Sequence, residues 1–150
     1  MLGAWGNFVN RTLAFIYKYF DAAVPDGKID TDIETDMTTL YQTVGKLIEN
    51  GNNGNLKEAL DTVFVFVRFG NKYFDTEQPW KTRSTKAGKC SDTIYNCVQI
   101  IANLAVLLEP FLPFSSSKIR GWLSVDNCWS AKKVLAGYAI SELENLRQLK

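Results

Sequence analysis

Apolar residues recur at helical spacing through most of the chain, and this pattern outlines the elements. When the chain turns by about 100° per residue, Trp5, Phe8, Val9, Phe15, Ile16, Tyr19 and Phe20 share one broad face of a helix over residues 4–21. Asn7, Arg11, Ala14 and Lys18 fall in a narrow stripe on the opposite side. Val24-Pro25-Asp26-Gly27 reads as the turn that ends this element. A second helix is predicted over 31–49, with Ile33, Met37, Leu40, Tyr41, Val44, Leu47 and Ile48 in register, and the Asn/Gly stretch at 50–55 breaks it. A third spans 56–75 through Leu56, Leu60, Val63, Val67 and Phe74. The run Val63-Phe64-Val65-Phe66-Val67 has strand propensity, but the helical period continues on both sides of it, so helix is the reading.

Gln78-Pro79-Trp80 closes the third helix, and a basic loop follows. The fourth helix is predicted over 91–108, with Ile94, Cys97, Val98, Ile101, Leu104, Ala105 and Leu108, and Pro110 and Pro113 stop it. Ser115 or Ser116 can cap a short fifth helix through Leu123. Residues 125–150 carry the weakest pattern, with Ser141 placed to cap a short last helix. The connections are short and there is no repeat or linker. The expectation is one all-α domain over 1–150, an antiparallel helical bundle of about five helices.

Composition narrows what such a bundle can do. Apolar residues at 46%, with 13% aromatic, supply a core for one domain. Seventeen basic against sixteen acidic residues leave a net charge of +1, so an RNA site must be a local patch. No run of about 18 apolar residues suggests a membrane span, and the first residues do not read as a signal peptide. A cytoplasmic location is expected.

The chain has no histidine, which excludes Ser-His-Asp and Cys-His nucleophiles, His-ligated metals and imidazole acid–base chemistry. Cys90, Cys97 and Cys128 are odd in number and form no C-x-x-C pair, so they read as buried thiols rather than disulfides or zinc ligands. Asp21, Asp26, Asp30, Asp32, Glu34 and Asp36 lie in a turn and an opening helix, where they serve as solvated charges and partners of the helix dipole. Gly51 and Gly54 belong to a turn, not a phosphate loop. No catalytic centre, metal or cofactor is expected in this chain.

Two features suit recognition instead. Asn7 offers a donor and an acceptor that match a base edge, and Arg11, one turn on, offers a planar fork. The same stripe also describes an ordinary solvated face. Trp80 follows a proline that can fix the loop and expose the indole, and a base stacked there is worth roughly 1–3 kcal/mol. A tryptophan plugging the bundle end is the plainer alternative. Lys81, Arg83, Lys86 and Lys89, with no acid until Asp92, favour a single-stranded RNA site over a plug, although a solvated loop has the same composition. Trp5 and Trp122 fit the core faces of their helices, and Trp129 has no clear role.

Three segments together resemble the anticodon-binding domain of methionyl-tRNA synthetase. They are Gly6-Asn7-Phe8-Val9-Asn10-Arg11-Thr12-Leu13, running into Phe15-Ile16-Tyr17-Lys18-Tyr19-Phe20; Asn71-Lys72-Tyr73-Phe74-Asp75 with Pro79-Trp80; and Leu107-Leu108-Glu109-Pro110-Phe111-Leu112-Pro113 with Ser117-Lys118-Ile119. The resemblance covers about residues 3–123, and the Pro-rich third segment also recurs in related class I synthetase domains.

The resemblance implies that Asn7 and Arg11 are anticodon-contacting residues and that Trp80 stacks on the cytosine of a CAU anticodon. It implies that Asn71 and Tyr73 pack that end of the bundle. Lys18, Lys81, Arg83 and Lys86 are placed to contact the RNA backbone. The implied partners are the methionine tRNA anticodon stem-loop and a catalytic domain in cis or in trans, with neither membrane nor DNA. The catalytic signatures His-Ile-Gly-His and Lys-Met-Ser-Lys-Ser are absent, so the chain looks like a fragment or subunit of methionine–tRNA ligase. The loop after Trp80 departs from the family in being more basic and less helical. The alternatives are the anticodon-binding domain of another class I synthetase, such as a cysteinyl, leucyl or valyl enzyme, and a protein-interaction bundle without RNA.

Overall fold

The computed structural model describes residues 2–49, 53–108, 111 and 119. The short helix expected over 115–123, the cap at Ser141, and Trp122, Cys128 and Trp129 lie outside these residues. The described chain forms α1 (Leu2–Tyr19), α2 (Thr31–Glu49), α3 (Asn53–Glu77), α4 (Pro79–Thr85) and α5 (Ala87–Leu107). No strand of a sheet occurs among the described residues, and the Val63–Val67 run lies within α3. No helix here is long and apolar enough to cross a membrane.

α5 is the centre of the bundle. Every residue from Thr93 to Leu107 is buried, as expected for a helix apolar nearly all round. Its buried amides have partners. Asn103 donates to the Gln99 carbonyl at 2.7 Å, and the Tyr41 hydroxyl of α2 donates to the Asn103 carbonyl at 3.3 Å. Cys90 and Cys97 are buried free thiols, as their spacing predicts. Burial pushes both above the ordinary thiol range, so neither offers a thiolate.

The helix directions follow from paired contacts. Ala4 and Asn7 meet Asn71, and Arg11 meets Asp75, so α1 and α3 run parallel side by side. Asp30 meets Asn96 and Tyr41 meets Asn103, so α2 runs parallel to α5. Glu77 meets Lys89, so α5 runs antiparallel to α3. Successive long helices therefore alternate in direction, while α1 lies beside α3 and α5 rather than α2.

The connector over 20–30 produces this arrangement. α1 ends at Tyr19, short of the expected residue 21, because Asp21 and Ala22 adopt positive φ of 53° and 62° and the Ala22 amide returns to the Ile16 carbonyl at 3.2 Å. The strand of chain that follows is strapped across α5. Asp92 accepts from the Lys28 amide at 2.8 Å and Asn96 accepts from the Asp30 amide at 2.7 Å. Gly27 passes so close that a Cβ there would lie 2.8 Å from the Tyr95 Cβ. Asp30 then caps α2, accepting from the Asp32 amide at 2.8 Å, which is the N-terminal role expected of this acidic stretch.

Two elements correct the sequence reading. α3 begins at Asn53, inside the 50–55 stretch expected as a break, so Gly54 is helical, and α3 runs to Glu77 rather than residue 75. The basic stretch after Trp80 is a helix, α4, and α5 begins at Ala87 rather than residue 91. Proline suits the first position of a helix because its missing N–H would be unpaired there anyway. Ser84 and Thr85 turn their hydroxyls back onto the Lys81 carbonyl at 3.2 and 3.1 Å. Seven residues are too few to display an amphipathic period, and their Ser/Thr content argues locally for a loop.

Candidate nucleic-acid interface

The site is built where α1, the end of α3 and α4 meet. α1 and α3 approach closely at Phe8 and Gly70, where only glycine leaves room for the buried Phe8 ring. At the next residue, Asn71 donates to the Ala4 carbonyl at 2.9 Å and accepts from the Asn7 side-chain amide at 3.2 Å. Asn71 thus ties the two helices together, while Asn7 itself stays exposed. Further along, the Arg11 guanidinium pairs with Asp75 and lies over the Phe74 ring, 4.4 Å from Cζ to centroid. Both contacts hold the guanidinium in place while the side chain stays partly exposed.

Trp80 is placed by a break between two helices. Gln78 takes a left-handed conformation, φ 49° and ψ 62°, which redirects the chain from α3 into α4. Two contacts from α5 pin this corner: the buried Cys90 thiol donates to the Pro79 carbonyl at 3.4 Å, and Lys89 pairs with Glu77 at 3.3 Å. Pro79 is buried, and Trp80 beside it is 43% exposed, with its ring 6.0 Å from that of Phe74. The indole therefore rests against the core at Phe74 and stays partly open to solvent; it does not plug the bundle.

Arg11, Phe15, Lys18, Tyr19, Phe74 and Trp80 line one open cleft of about 340 Å³. Its aromatic walls are continuous, since Phe15 packs edge-on against Phe74 and lies 4.6 Å from the Tyr19 ring. Its rim is cationic. The Lys18 ammonium is 5.1 Å from the Tyr19 ring, and the Arg83 guanidinium of α4 lies over the same ring at 4.1 Å. Flat aromatic surface bordered by positive charge suits a planar base with its phosphate attached.

The structure thus brings Arg11, Lys18 and Trp80 to one cleft, and Arg83 reaches it only through its contact with the Tyr19 ring. Asn7 lies one turn back along α1 and does not line the cleft. Lys81 is exposed on α4, and Lys86 is exposed between α4 and α5, both outside the cleft lining. Lys89 is held by Glu77. Tyr73, expected to pack that end of the bundle, is half-buried and stacked on Phe69 at 6.0 Å. Trp5 is fully buried, as its place on the α1 face predicts.

Sequence reasoning missed Phe74, Asp75 and Tyr19 as site residues. Phe74 and Tyr19 sit in helical register with core positions, so their pattern reports burial and hides the ring edges facing the cleft. Asp75 carries a usable signal, because it follows Asn71 by four residues and so shares a face with it.

Comparison with known proteins decides the family. A sequence model described as the anticodon binding domain of methionyl tRNA ligase matches residues 23–146. The chain belongs to this family. Methionine–tRNA ligase of Bacillus cereus strain G9842 is 54% identical over 127 residues, covering 85% of this chain and 23% of that protein. The enzyme of Bacillus mycoides is 55% identical over 124 residues, covering 83% of this chain and 22% of the relative. The chain therefore spans under a quarter of the length of these curated relatives. The apo methionyl-tRNA synthetase of Mycobacterium tuberculosis shares the fold, with a TM-score of 0.78 at 20% identity over 95% of this chain and 31% of that one. The helical bundle is thus that of a methionyl-tRNA ligase anticodon-binding domain; the matched residues 23–146 include Phe74 and Trp80 of the cleft, and its α1 side precedes them.

Proposed function

We propose that this domain reads the CAU anticodon of methionine tRNA. Arg11 and Asn7 present hydrogen-bonding groups to base edges, and Trp80 stacks on the cytosine. Lys18, Lys81, Arg83 and Lys86 contact the RNA backbone. Ligation of methionine to the tRNA is carried out by a catalytic domain outside these 150 residues, in the cytoplasm, and the RNA site needs no cofactor. DNA and membrane are not partners.

One observation carries this reading: in a chain of this family, an oriented arginine and a half-exposed tryptophan face one aromatic cleft with a cationic rim. Specificity arises because a wrong base leaves the Arg11 and Asn7 groups unpaired, while the stack on Trp80 and the phosphate contacts serve any sequence. The test is a titration of the chain with an anticodon stem-loop carrying CAU and with one carrying a single changed base, each at two salt concentrations. Tighter binding to CAU, weakening as salt rises, is expected. Equal affinity for the two stem-loops refutes the reading. Binding of a cysteine, leucine or valine anticodon loop in preference to CAU assigns the site to another class I branch.

A further inference from the structure

Tyr19 sits in helical register with the core, yet its ring carries two cations. The Arg83 guanidinium lies 4.1 Å from its centroid and the Lys18 ammonium 5.1 Å away. Neither cation forms an ion pair among the described residues, where the pairs are Arg11 with Asp75 and Lys89 with Glu77. The ring therefore gathers positive charge at the edge of the cleft, which an anion there would offset. Arg83 is exposed while its guanidinium rests on Tyr19, so N–H donors not facing the ring are open to an anion. Trp80 and Arg83 are three residues apart on α4 and share a face, with roughly 5–6 Å between Cβ atoms. A nucleotide whose base lies on the indole then has its phosphate within reach of the fork.

Resting on the anticodon reading, we propose that Tyr19 is a positioning residue for RNA binding. Its ring orients Arg83 so that the guanidinium grips the phosphodiester next to the nucleotide stacked on Trp80. Arg83 is thereby a geometrically fixed contact, unlike Lys81 and Lys86, whose ammonium groups act as solvated point charges. Preorientation removes the cost of ordering a long side chain on binding, so the effect of Arg83 depends on the ring beneath it.

The experiment measures affinity of the chain for a fluorescent CAU anticodon stem-loop across a salt series. Arg83→Gln is expected to weaken binding about tenfold and to lower the slope of log affinity against log salt by about 0.7, one single-strand phosphate contact. Arg83→Lys keeps that slope because the charge remains. Tyr19→Leu weakens binding although no charge is removed, Tyr19→Phe retains affinity, and the Tyr19→Leu/Arg83→Gln double variant is no weaker than Arg83→Gln alone. Fully additive losses in the double variant overturn the proposal. So does an unchanged salt slope in Arg83→Gln, or a Tyr19→Leu variant with lowered melting temperature and unaltered RNA affinity, the mark of a purely structural bracket between α1 and α4. Failure of CAU discrimination with the Tyr19–Arg83 coupling intact refutes the anticodon reading alone; discrimination with no coupling refutes this proposal alone.

Discussion

Replacing Gly70 by alanine tests the crossing on which the site is built. A Cβ at residue 70 would lie 2.5 and 2.6 Å from two carbons of the Phe8 ring and 3.0 Å from a third. Carbon atoms rest at about 3.5–4.0 Å, so something must move by roughly 1 Å. The ring cannot swing into solvent, because Phe8 is fully buried in the core. α1 must therefore lift from α3. Overpacking of this kind costs about 1–3 kcal/mol. Alanine returns up to about 1 kcal/mol through its better helix propensity, leaving a net loss of about 1 kcal/mol. Gly88, in the first turn of α5, is the internal control, since a Cβ there meets nothing within 4 Å. Gly88→Ala should stabilise by a few tenths to about 1 kcal/mol. Urea unfolding of the two variants reads the difference directly: at m of about 1–3 kcal/mol/M their midpoints should separate by about 1 M, with m unchanged. Lifting α1 also carries Asn7 and Arg11 away from Asn71, Asp75 and Phe74, so Gly70→Ala should weaken CAU stem-loop binding while Gly88→Ala does not. A Gly70→Ala midpoint equal to or above that of Gly88→Ala refutes the argument.

Trp80→Ala should cost roughly 1–3 kcal/mol of RNA affinity by loss of the stack; because the ring is 43% exposed, thermal melting should move much less than binding, and the reverse ranking counts against a stacking role. Asp75→Asn removes the partner of Arg11, yet the side chains are 28% and 61% exposed, so the unfolding free energy should change by under about 1 kcal/mol, and a larger loss by urea titration means the pair is more than a surface contact. Burial raises the Tyr41 and Tyr73 hydroxyls above the ordinary tyrosine value of 10.0, and it raises the Cys97 thiol above 9.0. The folded state thus holds these protons more tightly than the unfolded chain. Their stabilising contribution is complete below about pH 8, begins to fall as pH passes the unfolded values near 9 and 10, and goes on falling until the raised folded values are reached. Melting temperature followed from pH 7 to 11 should fall on the alkaline side, and a rise there contradicts the burial of these groups.

Much of the architecture was legible along the chain. The four long helices show in their apolar periods because a helix repeats every 3.6 residues and burial on one face stamps that period locally. The buried thiols, the role of Asp30 at the start of α2, and the absence of imidazole chemistry follow equally from composition and spacing. Asn7, Arg11 and Lys18 were visible as an exposed stripe and Trp80 as a helix-end aromatic, and the resemblance grouped Asn7, Arg11 and Trp80. α4 was not visible, because about two turns are too short for periodicity and its start depends on Gln78 adopting a left-handed backbone held by contacts from α5.

What the tertiary structure alone decided is which of these pieces share a surface. Arg11 meets Asp75, and Tyr19 meets Arg83, across 64 residues of chain. No local pattern carries that pairing. It depends on the strap over 20–30 that seats α1 beside α3, and on the missing side chain at Gly70 that lets the two helices close. Periodicity reports how each residue faces its own helix axis; a binding cleft is set by how the axes cross, and that is a property of packing between distant segments.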